Sequence, residues 1–170
     1  MNQGLKIAIV VQGRFHALDL ARELTRKGNE VVVLTNYPKS IVARCGVPEH
    51  QVLSCLGHGL VSRLVHRWPA ARVHKALEPQ LHRWFSRWAA GKLNECANLD
   101  AIHSFSGVSE EILRQFPRRR PLRSLVRGSA HIVIQAGLLA AEQMRCGCPL
   151  NQPSPWMIAR ELREYELSDL

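Results

Sequence analysis

The chain has 170 residues, of which 46% are hydrophobic, and this is enough material for one globular domain over 1–170. Its 23 Lys and Arg outnumber its 14 Asp and Glu, and the formal net charge of +9 favours partners that carry phosphate or anionic lipid. The longest apolar run, Ile7–Val11, is far shorter than the ~20 residues of a membrane span, so we expect neither a spanning nor a signal segment.

The cysteines argue against a secreted disulfide scaffold, because their number is odd and their spacing shows no framework. They are Cys45, Cys55, Cys96, Cys146 and Cys148. This usage is typical of a reducing cytosol, so we expect a cytoplasmic protein. Cys146 and Cys148 are close in sequence, but the sequence has no second close pair, and we predict no metal site.

The N-terminal segment has the pattern of a strand, a helix and a second strand. Lys6–Val11 is rich in β-branched residues, and apolar residues then recur at helical spacing through Phe15–Leu24. Gly28 ends this helix, and Glu30–Thr35 begins another β-branched run. Strands without polar alternation are typical of a parallel sheet covered on both faces. The fold class predicted is therefore α/β, with a Rossmann-like, doubly wound and mainly parallel sheet and helices on both faces.

The same alternation continues downstream. Further strands are predicted at Gln51–Cys55, Asp100–Ser104 and Leu122–Val126. A short helix capped by Ser109 should reach about Gln115. Another is predicted over His131–Met144, and a final amphipathic helix should place these residues on one side: Trp156, Ile158, Leu162 and Tyr165.

A long amphipathic helix is predicted from Pro69 to about Ala97. From Arg63 to Lys92 the chain has seven Lys or Arg and one acid, a net charge of +6. Two interpretations stay open. In the first, the helix is solvated on its basic side while Trp84 and Trp88 face the protein core. In the second, this basic segment contacts the inner face of an anionic membrane, which would suit a lipid-linked acceptor.

A second basic run, Arg118–Arg120, lies between two prolines and is predicted to be an exposed loop. No nucleic-acid-binding motif accompanies it, so we expect no nucleic-acid partner.

Ligands of such sheets bind at the carboxyl ends of the strands, so the loops that follow them are the candidate site. These are 12–14, 36–38, 104–107 and 127–131. The first lacks the repeated glycines of a dinucleotide fold, the second strand ends in Thr35-Asn36 rather than an acid, and no phosphate-binding P-loop motif occurs. We therefore expect no cofactor.

Two residues in these loops allow both a functional and a structural interpretation. Gly13 lets backbone N–H groups approach an anion at the start of a helix, or it forms a plain tight turn. His131 opens a helix beside Arg127, from where its imidazole could donate a hydrogen bond into the cleft or simply support the fold.

The order of several motifs resembles the N-terminal half of GT-B glycosyltransferases, and more narrowly the family-4-like nucleotide-sugar transferases. The resemblance spans nearly the whole chain, and its most specific part is the Arg-Gly-Ser-x-His segment followed by an acidic helix with a tyrosine. The motifs are Lys6–Val11 with Gly13, Gly28 followed by Glu30–Thr35, Asp100–His103, Ser124–Ile132 and Glu161–Asp169.

The resemblance implies two Rossmann-like domains that face each other across a cleft, the N-terminal one for the acceptor and the C-terminal one for the nucleotide-sugar donor. It places Gly13 near the donor diphosphate, and His131 near the transferred sugar as a positioning group rather than a general base. The site predicted has His131 as the catalytic residue, no metal, and substrate contacts from Gly13, Arg14, His103, Arg127, Gly128 and Ser129.

The function implied is that of the acceptor-side domain of a retaining glycosyltransferase, with the donor domain absent from 1–170. Such a domain would be inactive alone, and its partners would be a nucleotide sugar held by the other domain and a sugar or lipid-linked acceptor. The alternative is a stand-alone binding module that pairs with a separate donor domain or acts as a membrane or partner adaptor. The first is expected to be an enzyme and the second is not.

Overall fold

A computed structural model describes residues 4–13, 16–67, 71–118 and 120–170. Its five strands form one parallel sheet in the order β3-β2-β1-β4-β5. The strands are β1 Lys6–Val11, β2 Glu30–Thr35, β3 Val52–Ser54, β4 Ala101–Phe105 and β5 Leu122–Val126. The α/β, doubly wound architecture predicted from the β-branched runs is confirmed, and all five strands lie within two residues of their predicted bounds.

Seven helices accompany the sheet within the described residues, together with a short 3-10 turn at Glu49–Gln51. They are α1 Ala17–Arg26, α2 Lys39–Ala43, α3 Leu56–Arg67, α4 Ala71–Asn94, α5 Glu110–Gln115, α6 Ile132–Cys146 and α7 Pro155–Leu167. None of these helices is long and apolar enough to cross a bilayer. Helices α2 and α3 were not predicted from the sequence.

The two faces of β1 show why helices cover both sides of the sheet. Ile7, Ile9 and Val11 point into a core with α1 and α2, whereas Ala8 and Val10 point into a second core with α4 and α5. Because successive strand residues face opposite sides, an unbroken apolar strand needs two apolar layers.

The helix α4 contributes to the second core through a row of residues one turn apart. Phe85, Ala89 and Leu93 are buried in that row. The interpretation that both tryptophans face the core is wrong for Trp84, which is 42% exposed, while Trp88 is half-buried.

The final helix differs from its prediction, because α7 buries charged residues. Arg160, Glu161 and Glu164 form its buried positions, while Leu162 is exposed. The guanidinium of Arg160 donates to the Gly107 carbonyl at 2.7 Å. It also pairs with Glu111 at 2.5 Å and lies 3.3 Å from Glu164. The helix is therefore fastened to the loop after β4 by hydrogen bonds and ion pairs.

The prediction that the Ser109 side chain caps α5 is wrong. Its hydroxyl does not cap α5 but donates to the Phe105 carbonyl at 2.6 Å. Instead, the carboxylate of Glu164 accepts hydrogen bonds from the backbone N–H groups of Gly107, Ser109 and Glu110, at 2.5, 2.8 and 2.9 Å. We call this assembly of Arg160 and Glu164 with the 107–111 segment the α7 latch.

Candidate functional site

A cleft of about 660 Å³ lies at the carboxyl end of the sheet. All four of the predicted strand-end loops contribute to it, because parallel strands deliver their following loops to the same edge. Its lining includes Gln12, Gly13, Asn36, Tyr37, Ser106, Arg127, Gly128 and Ser129 from those loops, and Ser62, Arg63, His66, His82 and Glu161 from helices.

The first loop is held by a chain of hydrogen bonds that begins at Gly13, whose φ is 105°. Its N–H donates to Asn36 Oδ1 at 3.0 Å, and Asn36 Nδ2 lies 3.5 Å from His58 Nδ1. His58 Nε2 lies 3.1 Å from the Leu81 carbonyl. Because a carbonyl oxygen only accepts, Nε2 carries the proton and Nδ1 accepts from Asn36. We call this chain the Asn36 relay.

The relay is buried and neutral at its centre. His58 is fully buried, and this burial lowers the pKa of its imidazole to about 4. The next residue, Gly59, packs so closely that an added Cβ would lie within 2.1 Å of the Asn36 carbonyl oxygen. The turn after β2 is therefore fixed by both packing and hydrogen bonding.

A pH dependence follows from His58. Between pH 4 and pH 6.5 unfolding is accompanied by proton uptake, because the pKa of His58 is about 4 in the folded protein and 6.5 in the unfolded chain. The contribution of the neutral imidazole to stability is therefore full above pH 6.5 and decreases as the pH falls below 6.5. The variant His58→Gln keeps a donor and an acceptor but cannot titrate. We expect the stability deficit of this variant relative to the wild type to shrink by about 1.4 kcal/mol for each unit by which the pH falls within that window, measured by urea unfolding. Parallel pH profiles for the two proteins would contradict the burial of a neutral imidazole.

On the other side of the cleft, His82 of α4 faces the loop after β4. His82 Nδ1 donates to the Gly107 carbonyl at 2.8 Å, which leaves Nε2 as an acceptor. Burial lowers the pKa of His82 to about 4, so the ring is neutral near pH 7. A neutral imidazole in the wall can accept a hydrogen bond from a ligand hydroxyl.

The loop after β5 is organised by Arg127. Its guanidinium donates to Glu161 Oε2 at 2.7 Å, to Ser129 Oγ and the Ala130 carbonyl at 2.7 Å, and to Gln135 Oε1 at 2.6 Å. Burial raises the pKa of Glu161, while the charge of Arg127 acts in the opposite direction. Arg127 therefore shapes the cleft wall and neutralises the one carboxylate among its described lining residues.

A third wall comes from α3. Ser62, Arg63 and His66 of this helix line the cleft, and the Arg63 guanidinium lies 4.9 Å from the centre of the Tyr37 ring. His66 Nδ1 lies 2.7 Å from the Ser62 carbonyl. This wall was not predicted, because the apolar pattern did not indicate α3, although Ser62 and His66 have the spacing of one helix face.

The structure brings together four of the predicted site residues, Gly13, Arg127, Gly128 and Ser129. Arg14 lies outside the described residues. His103 is on β4, where its ring lies 3.1 Å from Ser124 Oγ and edge-on to Phe105, and it is not among the residues that line the cleft.

His131 lies immediately before α6 and is exposed, also outside the described lining of the cleft. Its ring centre is 4.7 Å from that of Tyr165, whose hydroxyl donates to Glu161 Oε2 at 3.0 Å. Contacts thus connect His131 through Tyr165 to a lining carboxylate. Its catalytic role stays a prediction.

The charge and polarity of the cleft suit a ligand with both phosphate and hydroxyl groups. Arg63 contributes an exposed cation, and Gln12 Oε1 is buried with no hydrogen-bond partner among the described residues. A buried acceptor without a partner is costly unless a ligand or water supplies a donor. The described residues contain no group of three side chains able to hold a metal ion.

Comparison with protein-family models, with curated proteins and with solved structures found no match to the chain.

Proposed function

We propose that this chain is the acceptor-side domain of a retaining glycosyltransferase of GT-B architecture. The cleft at the carboxyl end of the sheet would hold the acceptor and the transferred sugar, while a second domain would supply the nucleotide-sugar donor. The proposal joins the resemblance in the sequence to the position and the chemistry of the cleft.

The observation that carries the proposal is the meeting of four strand-end loops in one basic cleft. Arg63 is an exposed cation there, whereas the guanidinium of Arg127 is engaged by Glu161 and its own loop. In retaining transfer the leaving nucleotide diphosphate gathers negative charge, and a fixed cation lowers the energy of that state. Arg63 is therefore the side chain that we assign to the phosphate.

A second domain would find an apolar surface beside the cleft. The helix α6 follows the lining residues Gly128 and Ser129, and it exposes Val133, Ile134 and Leu138, the last at 63%. Interfaces between domains of one enzyme commonly bury roughly 600–1,500 Å². The exposed face of α6 suits such an interface, and without the donor domain the cleft would have no source of activated sugar.

The test is transfer of labelled sugar from nucleotide sugars to sugar or lipid-linked acceptors. We expect no turnover by 1–170 alone and turnover by its complex with the donor-binding domain that the proposal requires. In that complex, Arg63→Ala should lower kcat/KM by about 10- to 100-fold, because one fixed cation at the leaving phosphate is lost.

The matched control is Arg26→Ala, an exposed arginine on α1 that should leave transfer unchanged. Efficient turnover by 1–170 alone, or full activity of the Arg63→Ala complex, would contradict the proposed function.

A further inference from the structure

The helix α3 has two faces of different character. One face carries Ser62, Arg63 and His66 into the cleft. A neighbouring face, which Arg63 borders, exposes a row of leucines one turn apart, Leu56, Leu60 and Leu64, at 55%, 61% and 56%. Three exposed leucines in one row along a helix form an apolar strip, and proteins rarely leave such a strip exposed to water unless it binds something.

Trp84 of α4 extends this strip. Its indole lies over Gly57, where an added Cβ would be 3.8 Å from the ring, and its edge meets the buried His58 ring. An added Cβ would be in ordinary van der Waals contact there, so the indole packs directly against α3. The indole is thus held partly exposed beside the leucine-bearing helix, the placement that tryptophan favours where apolar and aqueous phases meet.

Cations flank the strip on α4. Arg83 and Arg87 are exposed, and they form a groove of about 510 Å³ together with Gln80, Trp84 and Trp88. The sequence of α3 has no acid, and Glu78 is the one acid in that of α4, where it accepts a hydrogen bond from the Ser154 hydroxyl. The charge near the leucines is therefore of one sign.

We propose that the outer faces of α3 and α4 form a docking surface for an anionic lipid bilayer, comprising Leu56, Leu60, Leu64, Arg83, Trp84 and Arg87. The leucines would enter the acyl boundary, Trp84 would lie at the headgroup level, and the arginines would bind lipid phosphates. An amphipathic surface with arginines on its polar side matches a bilayer in both charge and polarity.

Docking would also orient the cleft. Because Arg63 borders the leucine row, while Ser62 is buried and lines the cleft, the cleft would open beside the bilayer surface. An acceptor whose headgroup projects from the membrane could then enter it. This last step rests on the proposed function, whereas docking does not.

The experiment is cosedimentation of the full chain 1–170 with vesicles of phosphatidylcholine, alone or mixed with phosphatidylglycerol. We expect binding to the anionic vesicles at least about tenfold tighter than to the neutral ones, weakening as salt shortens the ~10 Å screening length at 0.1 M. The variant Arg83→Glu with Arg87→Glu should lose about 30-fold or more in affinity, because each arginine near the surface contributes to attraction. Leu60→Ser with Leu64→Ser should lose about tenfold.

Two matched controls separate the docking surface from general charge and apolarity. Arg26→Glu with Arg44→Glu makes the same charge change at exposed positions on the opposite side of the sheet, and Leu138→Ser removes an exposed leucine on α6. Both should bind like the wild type. Equal binding to both vesicle types, absence of binding, or equal losses in test and control variants would overturn the proposal, and absence of binding would favour a protein partner for this face.

Vesicle binding requires neither donor nor acceptor, so its outcome is independent of sugar transfer. Binding without transfer would retain the docking surface and contradict the enzyme, and transfer without binding would do the reverse.

Discussion

Replacing Arg160 with alanine is expected to lower the free energy of unfolding by about 3–5 kcal/mol, the usual range for removing one partner of a buried ion pair. Arg160 is fully buried, and its guanidinium contacts the Gly107 carbonyl, Glu111 and Glu164. The variant would leave these acceptors without their cation in a dry part of the protein. Urea unfolding at neutral pH measures the difference.

The matched control lies on the same helix. Arg163 also pairs with a glutamate, Glu110, at 2.8 Å, but its side chain is 37% exposed. We expect Arg163→Ala to cost only about 0.2–1 kcal/mol, since water replaces much of an exposed pair. If both variants lost the same stability, the α7 latch would not depend on burial.

The loss in Arg160→Ala should also depend on pH. Burial opposes ionisation of Glu111, but the hydrogen bond and charge of Arg160 prevail and lower its pKa. Stability from such a carboxylate is present above its ordinary pKa and is lost as pH falls through the folded value. Burial raises the pKa of Glu164 to about 7, so this group gains its proton earlier. The deficit of Arg160→Ala should therefore shrink toward acidic pH.

Replacing Asn36 with alanine is the second large change that we expect, because it breaks the Asn36 relay at its centre. Gly13 N–H loses its acceptor, and the buried His58 Nδ1 loses its donor. Two unsatisfied polar groups predict a loss of about 1–3 kcal/mol in the free energy of unfolding. The first cleft loop also loses its orientation. A hexose phosphate carries the phosphate and hydroxyl groups that we propose for the cleft ligand, and we expect the affinity for this probe to fall about tenfold.

The control for Asn36 is at the other end of the same strand. Asn29 precedes β2, and its side chain accepts from Leu5 N–H and donates to the Leu24 carbonyl, both at 3.0 Å. Asn29→Ala removes an equal number of hydrogen bonds away from the cleft. It should lower stability and leave hexose phosphate binding unchanged. Equal loss of affinity in both variants would mean that the relay acts through general stability alone.

The strands and their loops could be predicted from the sequence because the signal is local. Lys6–Val11 and Glu30–Thr35 are β-branched runs without polar alternation, and a parallel sheet is the fold that buries both faces of such runs. The order of parallel strands then fixes which loops share an edge. Gly13 and the loop after Val126 were predicted to meet for this reason, and both line the cleft.

The α7 latch could not be predicted, because its partners are distant in sequence. Arg160 and Glu164 look like ordinary solvated charges on an amphipathic helix, and the residues that make their burial tolerable are about fifty positions earlier. The apolar pattern was wrong for Leu162, which is exposed, although Trp156 lies one turn before Arg160 and its ring centre is 5.4 Å from that guanidinium. The burial of these charges can be recognised only in the folded structure, where the distant partners lie beside them.

The cleft wall on α3 was missed for a different reason. One glycine, one serine and four apolar residues intervene among His58, Arg63 and His66, and the apolar positions Leu56, Leu60 and Leu64 face outward. A helix whose leucines are exposed gives no core-directed pattern. Its cleft-lining side, where Ser62 is buried, therefore carries little signal in the sequence.

Titration of the isotope-labelled chain with a hexose phosphate, followed by backbone amide chemical shifts, tests the proposed sugar-phosphate site most directly. We predict saturable shifts concentrated at Gly13, Asn36, Ser106 and the loop 127–129, the backbone that forms the cleft. The same titration of Asn36→Ala should show weaker binding at the same amides. Shifts spread over other surfaces, or no shifts at any soluble concentration, would contradict a sugar-phosphate site at the carboxyl end of this sheet.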